Sequence, residues 1–219
     1  MTVVLVVPAL DLLRLADELA ARAISRIDLG SGPTPIEGFW GFDRCTEPRV
    51  SFVDLASGKP WPLADESVEE LYSSHFIEHV PAGEVYAYEF VAGGGLISGE
   101  LAHSVVPSRR VRYLGLRDAL CWVMDEAYRV AKPGARFRVR WPALVDERTG
   151  VLGRIAFVDP THRRFIPREQ MHYFSRAGRK AFGVEQYGCS CDWVVVSEAQ
   201  ADLGIGCEYD VMLQKPERS

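Results

Sequence analysis

Between residues 10 and 24 apolar side chains recur at helical spacing. Leu12, Leu13, Leu15, Leu19, Ala20 and Ala23 form one face, and Asp11, Arg14, Asp17, Glu18 and Arg22 the other. The pattern predicts an amphipathic helix. The apolar runs that follow are short and close on small or acidic residues. They predict strands at Arg26 to Leu29, ending on Gly30, and at Phe39 to Phe42, ending on Asp43. Further strands are predicted at Val50 to Leu55 and at Val68 to Tyr72, the latter followed by Ser73, Ser74 and His75. Gly30, Gly32, Pro33 and Pro35 crowd the link between the first two strands, where no long helix fits. Phe76 to Val80 reads as a helical turn.

From residue 82 to 115 the rhythm is lost and glycines gather at Gly93, Gly94, Gly95 and Gly99, which predicts an insertion or a lid. Helical spacing returns from about Arg117 to Val130, through Leu116, Leu120, Val123, Met124, Ala127 and Val130, and Lys132-Pro133-Gly134 is expected to stop it. A fifth strand is predicted at Arg136 to Trp141, then a long loop over 143 to 165. A helix from Pro167 to Phe182 would place Pro167 near its first turn. Val194 to Ala199 and Tyr209 to Leu213 are the last strands, close enough to pair antiparallel.

Strands alternating with helices and loops predict an α/β fold: a Rossmann-like, mostly parallel sheet with an antiparallel last strand and helices on both faces. With 219 residues, a single domain carrying one insertion is expected. Ligands of such sheets lie beyond the carboxyl ends of the strands. That rule would gather Asp28 to Gly32, Asp43, Asp54, Ser73 to His75 and the loop after Trp141.

The formal net charge of −5 argues against nucleic-acid binding, leaving Arg163, Arg164 and Arg168 as a candidate local basic patch. Thr2 to Leu10 is apolar but too short to span a bilayer, and no basic segment precedes it, so a cytoplasmic protein without membrane contact is expected. The five cysteines, Cys45, Cys121, Cys189, Cys191 and Cys207, are odd in number and widely spaced, unlike a disulfide framework. Cys189 and Cys191 with Cys207 could offer three metal ligands, but no matched second pair exists, and ordinary thiols without metal are expected.

Asp28-Leu29-Gly30-Ser31-Gly32 is the first candidate for chemistry. Glycine past a strand lets the backbone turn sharply and a ligand approach closely, while Asp28 could accept from a ligand amine. A plain tight turn explains the same residues. The third glycine of a dinucleotide fingerprint would fall at Pro35. Asp43, ending the second strand, suits a ribose diol, or pairs in solvent with Arg44 or Arg49. Asp54 could accept from an adenine amino group or cap a turn.

Taken together, RIDLGSGP, GFDR, FVDL, WPLADESVEELYSSHFIEHV and MDEAYRVAKPGARFRVRWPA resemble the class I S-adenosylmethionine-dependent methyltransferases, close to the type 11 group, over about 120 of the 219 residues. The resemblance implies S-adenosyl-L-methionine as cofactor. Asp28, Gly30 and Gly32, with Ser31 between the glycines, would line its methionine and ribose part. Asp43 would take the ribose hydroxyls, Asp54 and Leu55 would face adenine, and Ser73, Ser74 and His75 would sit near the sulfonium. One departure is plain. The helix usual between the first two strands is nearly absent, so the cofactor wall there must be a loop.

Methyl transfer from a sulfonium asks mainly for alignment, and for a base only if the nucleophile carries a proton. His75 has a site or a structural role. His79, four residues on, could share a helical face with it and reads as a packed histidine. In Asp159-Pro160-Thr161-His162, a run also found in some relatives, Asp159 could orient His162 as a base, or the segment is a rigid turn capped by Thr161. Trp141 and Tyr173 are substrate walls or core.

The expected reaction is methyl transfer to a small-molecule or peptide acceptor. The alternative is a non-catalytic cofactor-binding or partner subunit on the same fold. A nicotinamide oxidoreductase fits Pro35 poorly. DNA base methyltransferases would want an (N/D)-P-P-(Y/F) or Pro-Cys element where Ser73-Ser74-His75-Phe76 stands. The acceptor and the oligomeric state stay open.

Overall fold

A computed structural model describes residues 9–92, 109–185 and 188–218. The elements are α1 (Ala9–Ala21), β1 (Arg26–Leu29), β2 (Trp40–Asp43), β3 (Val50–Phe52), β4 (Val68–Ser74), β5 (Glu84–Ala92), β6 (Arg109–Asp118), α2 (Ala119–Val130) and β7 (Ala131–Pro142). They continue with β8 (Val145–Asp146), β9 (Val151–Leu152), α3 (Arg154–Val158), α4 (Gln170–Tyr173), α5 (Arg176–Ala181), β10 (Val194–Asp202) and β11 (Cys207–Gln214).

The main sheet has seven strands in the order β10-β11-β7-β4-β1-β2-β3. β3, β2, β1, β4 and β7 run parallel, while β11 is antiparallel to both β7 and β10. The chain steps outward from β1 to β3, then returns to add β4 on the other side of β1. That reversal is the switch point where an α/β sheet opens a crevice. The expected mostly parallel sheet with an antiparallel last strand is what forms.

Its centre is apolar because inner parallel strands are covered on both faces. Ile27 and Leu29 of β1, Leu71 of β4 and Phe137 and Val139 of β7 are fully buried. α2 turns Leu120, Val123, Met124, Ala127 and Val130 inward, whereas Leu116, read as part of the same face, lies in β6 and is exposed. Asp118 starts that helix by accepting from the Leu120 and Cys121 N–H groups at 2.9 and 3.2 Å. Trp141 belongs to the core: it is 1% exposed, and its indole N–H donates to the Ile166 carbonyl at 2.8 Å.

The parallel links β1–β2 and β2–β3 hold no helix. Parallel pairs usually need a long crossover. Here β2 has four residues and β3 three, so the return path is only about 10–13 Å, within a loop's reach.

Several expectations change. Lys132-Pro133-Gly134 lies inside β7, which follows α2 without a loop; Gly134 takes φ +79° there. The span from 82 to 115 contains an antiparallel ribbon of β5 and β6, bulged between Ala87 and Tyr88. The β-branched and aromatic residues Val85 and Tyr86 carried that signal. Gly93 to Gly95 and Gly99 lie outside the described residues. The long loop over 143 to 165 holds the small β8–β9 hairpin and α3. The helix expected from Pro167 to Phe182 is two short ones, because Ser175 is extended (φ −109°, ψ 150°) and its hydroxyl caps α5 through the Gly178 N–H. Among the described residues no helix is long and apolar enough to cross a membrane.

Candidate functional site

A cavity of about 250 Å³ opens beyond the carboxyl ends of the parallel strands, at the switch point. Gly30, Asp43, Asp54, Leu55 and His75 line it, as expected from their places after β1, β2, β3 and β4. Arg44, Phe76 and His79 also stand on its wall. Asp28, Ser31, Gly32, Ser73, Ser74, Asp159 and His162 do not.

The loop replacing the first crossover helix is stapled by two carboxylates. Asp28 Oδ2 accepts from the Ile36 N–H at 3.0 Å, and Asp43 Oδ2 accepts from the Gly32 N–H at 2.8 Å. Asp43 Oδ1 also takes the Arg44 N–H at 2.6 Å, while the Arg44 guanidinium reaches past it to Asp54 at 3.0 Å. Gly30 sits at φ +69°, and a Cβ there would fall 2.4 Å from Cβ and Cγ of Phe76. The close approach this glycine permits is therefore to Phe76. Gly32, at φ +59°, has nothing within 4 Å of its Cβ position. The Ser31 hydroxyl donates to the Gly32 carbonyl. Ser73 is fully buried and its Oγ has no partner among the described residues.

Burial lifts the Asp28 carboxyl to about 6; the Ile36 hydrogen bond pulls it down and the charge of Asp43 pushes it up. A folded-state pKa above the unfolded value means stability fully present below about pH 4 and lost as pH rises through about 6. Asp28→Asn keeps an acceptor for Ile36 without the buried charge. It is expected to be more stable than wild type at pH 7, by roughly 2 kcal/mol, with the gap closing below pH 4. Thermal melts of both proteins at pH 4 and 7 measure this; parallel pH profiles would rule Asp28 out as the source.

His75 holds φ +54°, a left-handed conformation costly without glycine. Its N–H donates to the Arg140 carbonyl at 2.9 Å, which fixes the turn after β4 against β7. The ring lies between two buried carboxylates: Nε2 is 3.1 Å from Glu208 Oε2, and Nδ1 is 3.3 Å from Glu78 Oε1. The other Glu208 oxygen meets the Arg140 guanidinium. Only Ile77–His79 is helical, as a 3-10 turn, so His75 and His79 share no helix face.

Asp159 closes a turn on Thr161. Its Oδ1 accepts from the Thr161 N–H at 2.7 Å and hydroxyl at 2.6 Å, which holds the carboxyl below its usual range. Its Oδ2 stays 3.7 Å from His162 Nε2, beyond hydrogen-bond range. His162 packs edge-on against His79, with centroids 4.9 Å apart, and meets the cavity through that ring. Two of the three basic residues are paired, Arg164 with Asp118 and Arg168 with Glu147 and Glu198, while Arg163 is exposed. Cys207 is not part of the thiol group, which is Cys189 and Cys191 with Asp125. There the Asp125 oxygens are taken by Ser190, Cys191 and Arg117, as in a loop staple.

Sequence reasoning missed Glu78, Arg140 and Glu208, and set His79 aside. Glu78 and His79 were visible in the E-H pair after His75. Nothing local pointed to Glu208.

No protein-family model and no curated protein matches this chain. Among solved structures it is similar to a SAM dependent methyltransferase from Archaeoglobus fulgidus, at 14% identity and TM-score 0.48, over 93% of this chain and 94% of that one. It is also similar to Burkholderia thailandensis 1,6-didemethyltoxoflavin-N1-methyltransferase, crystallised with 1,6-didemethyltoxoflavin and S-adenosylhomocysteine, at 12% identity and TM-score 0.47, over 94% and 79%. The [4+2]-cyclase SpnF is similar at 14% identity and TM-score 0.47, over 94% and 81%.

Proposed function

We infer that this chain, which folds as a class I methyltransferase, transfers a methyl group from S-adenosylmethionine to a small-molecule or peptide acceptor. The observation that carries the reading is the pair of carboxylates, Asp43 at the end of β2 and Asp54 after β3, on one cavity that Gly30 also lines. An adenosine presents donors at its ribose diol and its amino group, and these two acids supply acceptors. Leu55 and Val53 offer apolar surface beside them. The open face of Gly32 leaves room for a further polar group beside the loop.

When bound, the cofactor supplies a methyl carbon already activated by its sulfonium. The protein's part is to hold the acceptor in line and keep water out. Asp43 and Asp54 orient the nucleoside, and His75 is held by Glu208. On the acceptor side stand His79, His162 and Asp159. The ribbon of β5 and β6 springs from the cavity wall just past Pro81 and serves as its lid.

Calorimetry with S-adenosylhomocysteine and NAD tests the reading. The first should bind at micromolar concentration or tighter and the second should not; tight NAD binding with no response to S-adenosylhomocysteine would overturn it. Cofactor binding with no turnover over a metabolite and peptide panel would favour the partner-subunit alternative. In an active preparation His162→Ala is expected to lower kcat by about 10²-fold, leaving S-adenosylhomocysteine affinity nearly unchanged. An undiminished rate would leave the acceptor side to alignment alone.

A further inference from the structure

The Glu78 carboxylate is enclosed. The residue is 2% exposed, and neither carboxylate oxygen has a hydrogen-bond partner among the described residues. Leaving a carboxylate so placed is costly. The nearby His75 Nδ1 is 3.3 Å from Oε1, outside hydrogen-bond geometry, and that ring already meets Glu208.

Two more donors converge on the same point. One ligand atom each from Glu78, His79 and His162 lies within 4.8 Å of the others. Both imidazoles are oriented from behind. His162 Nδ1 is 2.9 Å from the Ala156 carbonyl, and His79 Nδ1 is 3.3 Å from the Thr161 carbonyl and 3.1 Å from its hydroxyl. A ring that donates its Nδ1 proton to such oxygens keeps an Nε2 lone pair for an ion, the backing usual for metal-bound histidine. Asp159 Oδ2, 3.7 Å from His162 Nε2, stands beside the group.

We propose that Glu78, His79 and His162 bind a divalent transition-metal ion, zinc being the best match. Two imidazoles and one carboxylate suit a borderline-soft ion and not calcium or magnesium, which take oxygen sets. Metal–ligand bonds of about 2.0–2.1 Å place tetrahedral ligands about 3.3 Å apart, so the three side chains draw inward on binding. The ion ties the turn after β4 to the loop after α3. Three protein ligands leave a fourth position, and His79 lines the cavity, so an acceptor bearing a carboxylate, phenolate or hydroxyl oxygen has a place on the ion. That acceptor assignment rests on the methyl-transfer reading; the ion site does not.

The test is a titration of tag-free protein, stripped with a chelator, with ZnCl2 by calorimetry and with CoCl2 by visible absorption. One equivalent of zinc is expected at micromolar affinity or tighter, and cobalt should show the intense bands of a tetrahedral site. Glu78→Gln and His162→Ala should each weaken zinc at least 30-fold. If His162→Ala proves unfolded by circular dichroism, His79→Gln, on a more exposed residue, takes its place. Asp43→Asn and Cys189→Ser should retain zinc. Absence of stoichiometric zinc uptake overturns the proposal, as does uptake lost in Cys189→Ser and indifferent to Glu78→Gln. S-adenosylhomocysteine titrated into the same preparations separates the two readings. Zinc bound without S-adenosylhomocysteine supports the ion site and sinks methyl transfer, and the reverse sinks the ion site alone.

Discussion

Glu208→Ala is expected to destabilise the protein by about 3 kcal/mol, the low end of the cost of breaking a buried ion pair. Glu208 is 1% exposed, and its two oxygens serve the Arg140 guanidinium and His75 Nε2. Removing it leaves a guanidinium whose side chain is 28% exposed, so solvent recovers part of the loss. For a chain of this length the fall in Tm should be roughly 6–12 °C. Glu208→Gln keeps the shape and one acceptor and should lose less. Urea unfolding of the three proteins checks this. A loss below about 1 kcal/mol in Glu208→Ala would mean that the pair is not held as described. His75 should also become mobile, since the ring's hydrogen bond to Glu208 helps hold its left-handed backbone.

Asp43→Ala is expected to weaken S-adenosylhomocysteine binding at least 100-fold. Two charge-assisted hydrogen bonds to a ribose diol, at about 1.5–3 kcal/mol each, make up that factor or more. The same substitution frees the Gly32 and Arg44 N–H groups that Asp43 now accepts from, loosening the loop under the cofactor. Asp43→Asn retains one carbonyl oxygen and should fall between the two. Calorimetry on folded variants is the measurement. An Asp43→Ala protein that binds like wild type would move the cofactor out of this cavity.

The strand ends were legible from the chain because the period-2 and period-3.6 patterns are local. Val68 to Tyr72 and the α2 face follow from apolar spacing, and a parallel sheet then carries Asp43, Asp54, Leu55 and His75 to one edge. The β5–β6 ribbon was hidden by the nearby glycines, although Val85 and Tyr86 are strand-favouring residues. The break between α4 and α5 was hidden because Ser175 takes its capping role only once its backbone is extended.

The sequence determined the sheet and which acids end its strands, since burial of apolar faces leaves few other arrangements for these runs. Only the tertiary structure shows what those acids meet. Asp28 reads as a ligand acceptor in the chain, and in the fold it is buried with Oδ2 accepting from the Ile36 N–H. Glu208 joins His75 across 133 residues and Arg140 across 68. Those partners meet because β7 lies between β4 and β11 in a particular register. Glu78, His79 and His162 converge in the same way, from a turn after β4 and a loop after α3. Such pairings depend on strand order and register, which are set by the packing of the whole sheet and leave no periodic trace in the residues that make them.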